Sequence, residues 1–143
     1  MSRYLVVTHQ TALSPDLQRT VSALVAEDPA AEFAVLVPEA PGSRFTWEGE
    51  TVDTAKQRAE ASKARLEETA RARVFRTAVG ASEPLQAITD ELREHPGYDT
   101  LVICTLAPGI SRWLKLDLIH RAERKFGLRV IHVVAEVPAP ARP

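Results

Sequence analysis

The chain has 143 residues, with 18 Lys and Arg against 19 Asp and Glu and a net charge of -1. That is the size of one domain, able to bury roughly two-thirds of the surface its unfolded form would expose, and the charge balance creates no overall field toward nucleic acid or an anionic membrane. No stretch approaches the ~20 apolar residues of a membrane span and the apolar run at 4–7 is too short for a signal core; the single cysteine, Cys104, excludes an internal disulfide, so a soluble protein of a reducing, cytoplasmic compartment is expected.

In chain order, the apolar, β-branched run at 4–8 predicts a first strand. Ser14 and Pro15 supply an N-cap and a first helical residue, and Leu17, Val21, Leu24 and Val25 then recur at helical spacing up to about Glu27. Residues 33–37 predict the second strand. The long connection over 38–50 carries Phe45 and Trp47, either as a flap over a neighbouring crevice or as pins for the loop itself. Residues 51–71 lack Gly and Pro and predict the second helix, with Ala55, Ala59, Leu66 and Ala70 on the side that approaches a sheet. Glu67 and Arg71 stand in the favourable i,i+4 order, worth ~0.2–0.5 kcal/mol.

A third strand is expected at 74–79. The third helix starts near Ser82 and Pro84, buries Leu85, Ile88 and Leu92, and closes before Pro96 and Gly97. Leu101, Val102, Ile103 and Cys104 form an unbroken apolar run, the pattern of a strand covered on both faces, so 101–105 is the fourth strand. Pro108, Gly109 and Ser111 follow with turn chemistry and open backbone donors. Leu114, Leu116 and Leu118 alternate with charges as an extended lead-in would; Asp117 is a candidate N-cap, and Ile119, Ala122 and Phe126 restore helical spacing. The fifth strand is expected at 130–134. The domain is drawn at 1–135, and the Pro-rich tail, 136–143, is expected to fray or to cross a partner surface.

Alternating helices and near-continuous apolar strands predict an α/β three-layer sandwich around a five-stranded parallel sheet. Right-handed crossovers favour the strand order 3-2-1-4-5, which opens a crevice where chain direction reverses, beyond the C-terminal ends of strands one and four. Residues 8–13 and 105–112 would line it. The candidate ligand contacts are Gly109, Ser111 and Arg112, whose glycine, hydroxyl and guanidinium suit a phosphate or carboxylate, with Thr8, His9 and Gln10 on the opposite wall and His120 after the loop. Trp113 offers a ring that either stacks on a ligand or seals the loop. Cys104, inside its strand, reads as a packing residue. The four histidines lack metal-ligand spacing, and no catalytic residue is assigned. Arg121, Arg124, Lys125 and Arg129 interleave with Asp117 and Glu123, the pattern of a solvated helix face rather than a nucleic-acid surface.

From Val79 onward the chain resembles the universal stress proteins: VGASEP before an Ile-bearing helix, then YDTLVICT, GISRWL and a basic helix running into KFGLRVIHVV. The resemblance implies a flavodoxin-like, adenine nucleotide alpha hydrolase-like domain, commonly a homodimer, acting in cytoplasmic stress or growth-arrest responses. Some members bind ATP through a loop of the form G-x2-G-x9-G-[ST]. Aligning Gly109 with its second glycine places Leu106 at the first and Ile119 with His120 at the closing pair, so three of four positions depart. Thr8 and His9 stand where such ATP binders usually carry an acidic residue. ATP or AMP is therefore disfavoured as a cofactor. The expectation is a noncatalytic small-ligand or regulatory domain, dimeric through its last strand; the alternative is a nucleotide binder with a divergent phosphate loop. A phosphorelay receiver would need acidic residues where Thr8 with His9 and Val79 with Gly80 stand, and no Walker A, G-x-G-x-x-G or G-x-S-x-G motif occurs.

Overall fold

Five apolar runs pair in parallel into one sheet in the order β3-β2-β1-β4-β5. The computed structural model describes residues 2–8, 15–38, 50–80, 84–106 and 118–135. The elements follow the chain as β1 (Arg3–Val7), α1 (Pro15–Glu27), β2 (Glu32–Pro38), α2 (Glu50–Thr69), β3 (Arg73–Gly80), α3 (Pro84–Glu94), β4 (Thr100–Leu106), α4 (Leu118–Phe126) and β5 (Arg129–Ala135). Both the alternation and the strand order match the expectation. None of the described helices is long and apolar enough to cross a membrane.

Because successive strand side chains point to opposite faces, the sheet carries two cores. Tyr4, Val6, Phe33, Val35, Val102 and Cys104 face one layer, where α1 contributes Leu17 and Val21 and α2 contributes Ala59 and Leu66. Leu5, Val7, Leu36, Leu101 and Ile103 face the other, where α3 contributes Leu85 and Ile88 and α4 contributes Ala122. Burial on both faces explains why the central strands read as continuous apolar runs instead of alternating ones.

Local differences from the sequence reading have physical causes. The second helix stops at Thr69 because Arg71 turns into the left-handed region (φ 59°) and the Ala72 amide donates back to the Leu66 carbonyl. Arg71 thus leaves the helix, and the expected Glu67–Arg71 pair is not formed. Leu118, expected in an extended lead-in, is the first residue of α4. Gly127 (φ 65°) ends that helix in the same left-handed conformation, without a Cβ to oppose it. The register of β2 with β3 shifts between Phe33 and Ala34: Phe33 pairs with Val74 and Ala34 with Arg76. The intervening Phe75 is the extra residue of a bulge, which brings Phe75 and Arg76 together toward the α3 side of the sheet.

Candidate functional site

β1 pairs on one side with β2 and on the other with β4, in register from Tyr4 with Thr100 to Val7 with Ile103. The crossover through α1 returns to β2, on one flank of β1, and the later chain builds β4 and β5 on the other flank. Segments 9–14 and 107–117 therefore leave from the ends of neighbouring parallel strands. Such a switch point in an open α/β sheet is where ligands are received.

One step beyond Val7 and Ile103 lie Thr8 and Cys104, 0% and 1% exposed. The Thr8 amide donates to the Leu36 carbonyl at 3.1 Å, so its backbone continues the β1–β2 ladder past the formal end of the strand. Thr8 and Cys104 are thus both buried one step past the paired ends of β1 and β4. Cys104 belongs to the core that faces α1 and α2, the packing role read for it from sequence.

His120 stands in the first turn of α4 with its side chain exposed and its Nδ1 3.7 Å from Glu123 Oε1. Ile119, its neighbour, packs instead against the core formed with Leu5, Val7 and Ile103. Of the seven ligand contacts expected from sequence, the structure describes Thr8, buried just past β1, and His120, exposed in the first turn of α4. His9, Gln10, Gly109, Ser111 and Arg112 lie outside the described residues, as do Phe45, Trp47, Trp113 and the tail 136–143. Among the described residues no group of three His, Cys, Asp or Glu side chains is arranged to hold a metal ion.

A polar constellation that the sequence reading did not find lies between β3 and α3. Arg76 on the bulged strand meets Glu91 with two hydrogen bonds, Nε to Oε2 at 2.7 Å and Nη2 to Oε1 at 3.1 Å. The Tyr98 hydroxyl donates to the same Oε2 at 2.9 Å. Glu91 is 4% exposed. Burial alone would raise its carboxyl, but the hydrogen bonds from Arg76 and Tyr98 overcome that and hold it below the usual carboxylate range. Its hydrogen bond with Glu91 raises the already high Arg76 guanidinium, while burial and then the Glu91 charge push the Tyr98 phenol well above its ordinary value. A carboxylate that is ionised, bidentately paired and capped by a phenol has no lone proton to exchange near neutral pH, so this cluster ties β3 to α3. Its sequence signal was the single acid at position 91 on the apolar face of a helix.

No protein-family model matches the sequence, and no curated protein matches it. Solved structures do match the fold. A universal stress protein in complex with cAMP aligns with a TM-score of 0.61 at 16% identity, covering 92% of this chain and 96% of that one. A universal stress protein from Archaeoglobus fulgidus aligns with a TM-score of 0.63 at 16% identity, covering 93% of each chain. The fold is that of the universal stress proteins. A third structure, of a hypothetical protein, aligns at 0.60 and 16% identity over 95% of this chain and 96% of that one.

On this universal-stress-protein-like frame, the positions aligned with the family's phosphate loop can be located. Leu106, at the first glycine position, is the last residue of β4, still in register with Ala135 of β5. Ile119, at the third, is the second residue of α4 and anchors that helix to the sheet. A half-buried side chain packed in this way helps hold the helix against the sheet, and it adds a Cβ substituent where the glycine of the loop would allow close backbone approach to a phosphate.

Proposed function

We propose that the chain is a noncatalytic, cytoplasmic universal-stress-protein-like domain that binds a small ligand at the crevice beyond β1 and β4 and acts as a regulatory homodimer in a stress response. The observation that carries the ligand reading is the chain reversal between β1 and β4, which sends segments 9–14 and 107–117 out from adjacent strand ends. His9, Gln10, Gly109, Ser111, Arg112 and His120 are its proposed contacts; Thr8, being fully buried, is not among them. Ile119, packed against the core, and Leu106, at the strand end, argue against a triphosphate cradle of the family's glycine-rich kind. The dimer reading is supported by β5, an edge strand on which Val134 is 43% exposed; apolar edges of this kind are ordinarily covered or paired.

A second reading, nucleotide binding through a divergent loop, is favoured by one specific observation: a structural neighbour is a complex with cAMP. A cyclic mononucleotide carries one phosphate and makes a smaller demand on loop backbone donors than a triphosphate does. Titration of the protein with ATP and magnesium, and separately with cAMP, followed by the fluorescence of its two tryptophans and by calorimetry, separates the readings. No saturable response to millimolar ATP is expected. Saturable binding of ATP would replace the first reading by the second, and saturable binding of cAMP alone would assign the crevice to a mononucleotide.

A further inference from the structure

Beyond the crevice, the face of the sheet covered by α3 and α4 carries a groove of mixed chemistry. Arg121, Arg124 and Lys125 recur at i, i+3 and i+4, so they share one side of α4, while Ala122 and Phe126 turn toward the core. The three cations line a cavity of about 440 Å³ together with Leu85, Gln86 and Thr89 of α3. A second cavity, about 470 Å³, shares Thr89 and Lys125 with the first and continues between Leu92, Tyr98, Phe126 and Leu128. The groove is therefore basic at one end and apolar at the other.

Among the described residues, no carboxylate forms an ion pair with the basic end. Of the carboxylates on these helices, Asp90 accepts from Arg93 at 2.9 Å and from Gln86 at 2.9 Å, Glu91 is held by Arg76 and Tyr98, Glu94 lines a separate cavity together with Arg76, and Glu123 lies 3.7 Å from His120. Arg121, Arg124 and Lys125 form no hydrogen bond or ion pair with the described residues, and all three are exposed. A solvated helix face explains cations at these positions. It does not explain why they converge on a cavity whose continuation is walled by Leu92, Phe126 and Leu128. The planar edge of a guanidinium pairs with two phosphate oxygens in a bidentate fork, and an ammonium adds a mobile donor.

The geometry points to a second binding site, distinct from the crevice, for an amphiphilic phosphomonoester: its dianionic head held by Arg121, Arg124 and Lys125, its apolar body laid along Leu92, Phe126 and Leu128. The ligand is either a free alkyl phosphate or the headgroup and proximal chain of an anionic lipid.

The test is calorimetric titration of the whole protein with octyl phosphate below its micelle concentration, with inorganic phosphate in parallel, and sedimentation with phosphatidylcholine vesicles with and without phosphatidic acid. Octyl phosphate is expected to bind saturably and more tightly than inorganic phosphate. The triple variant Arg121→Gln, Arg124→Gln, Lys125→Gln is expected to weaken it by about tenfold or more, the equivalent of losing charge-assisted contacts. These side chains are exposed, and an unchanged melting temperature shows that the variant is folded. Co-sedimentation that requires phosphatidic acid supports the lipid source; binding of octyl phosphate without it supports the free one. Failure of both, equal affinity for octyl and inorganic phosphate, or undiminished binding by the triple variant overturns the proposal.

Discussion

Glu91 shows how much a single position can depend on residues remote from it in sequence. It sits on the inner face of α3, where an ionised carboxylate would be expelled, and it stays because Arg76 and Tyr98 supply three hydrogen bonds to it. Since the folded carboxyl titrates below its unfolded value, the stability it contributes is fully present above about pH 4.5 and is lost as pH falls through the folded value. Glu91→Gln, which keeps the shape but leaves the Arg76 charge unanswered, is expected to cost about 2 kcal/mol at neutral pH. In urea melts repeated from neutral pH down to about pH 3, the variant should lose less stability on acidification than the wild type. Parallel pH profiles would show that Glu91 is not the ionised partner assigned to it. Nothing in the sequence marks position 91 as paired, because its partners come from β3, fifteen residues earlier, and from the turn after α3. Ser62 was invisible for a related reason: it is fully buried beside Ala59 and Leu66, on the face of α2 that the spacing did identify, but a serine carries no apolar signal.

At the scale of elements, the legible features were those set by local chemistry. Leu17, Val21 and Leu24 are all buried on α1, and the helix begins at Pro15, a residue suited to the first helical position. Strand positions were equally clear, since a strand packed on both faces cannot hide polar residues in its centre. What local chemistry does not encode is register. The bulge at Phe75 exists only in relation to β2, and it is what directs Arg76 toward Glu91. The approach of α3 to the sheet is a second relational feature. A Cβ added at Gly80 would stand 2.7 Å from the Ala87 Cβ and 3.2 Å from Leu36 Cδ1, with the α3 backbone itself 3.3 Å away. Gly80→Ala is therefore expected to push α3 outward and to cost about 1–3 kcal/mol, read as a lowered denaturation midpoint with an unchanged slope. A midpoint equal to that of the wild type would show that the helix has room to spare.

For the whole molecule, alternation and the rule of right-handed crossovers were enough to order the sheet, and the order sets the ends of β1 and β4 side by side, where the crevice is proposed. The site chemistry was less legible, because loop residues acquire a function only from what the fold sets opposite them. Thr8 illustrates this: a hydroxyl at the mouth of a predicted cleft turns out to be a fully buried residue whose amide extends the sheet. Ile119 illustrates the reverse, since a departure from a glycine motif acquires a structural reason once its half-buried side chain is found packed against the core. The central claim is that this fold is used for a ligand other than a triphosphate, by a pair of chains. Native mass spectrometry of the protein isolated from its host reads both parts in one spectrum. The expected result is the mass of a dimer without bound nucleoside triphosphate; a monomer, or a chain that retains ATP, would contradict the account.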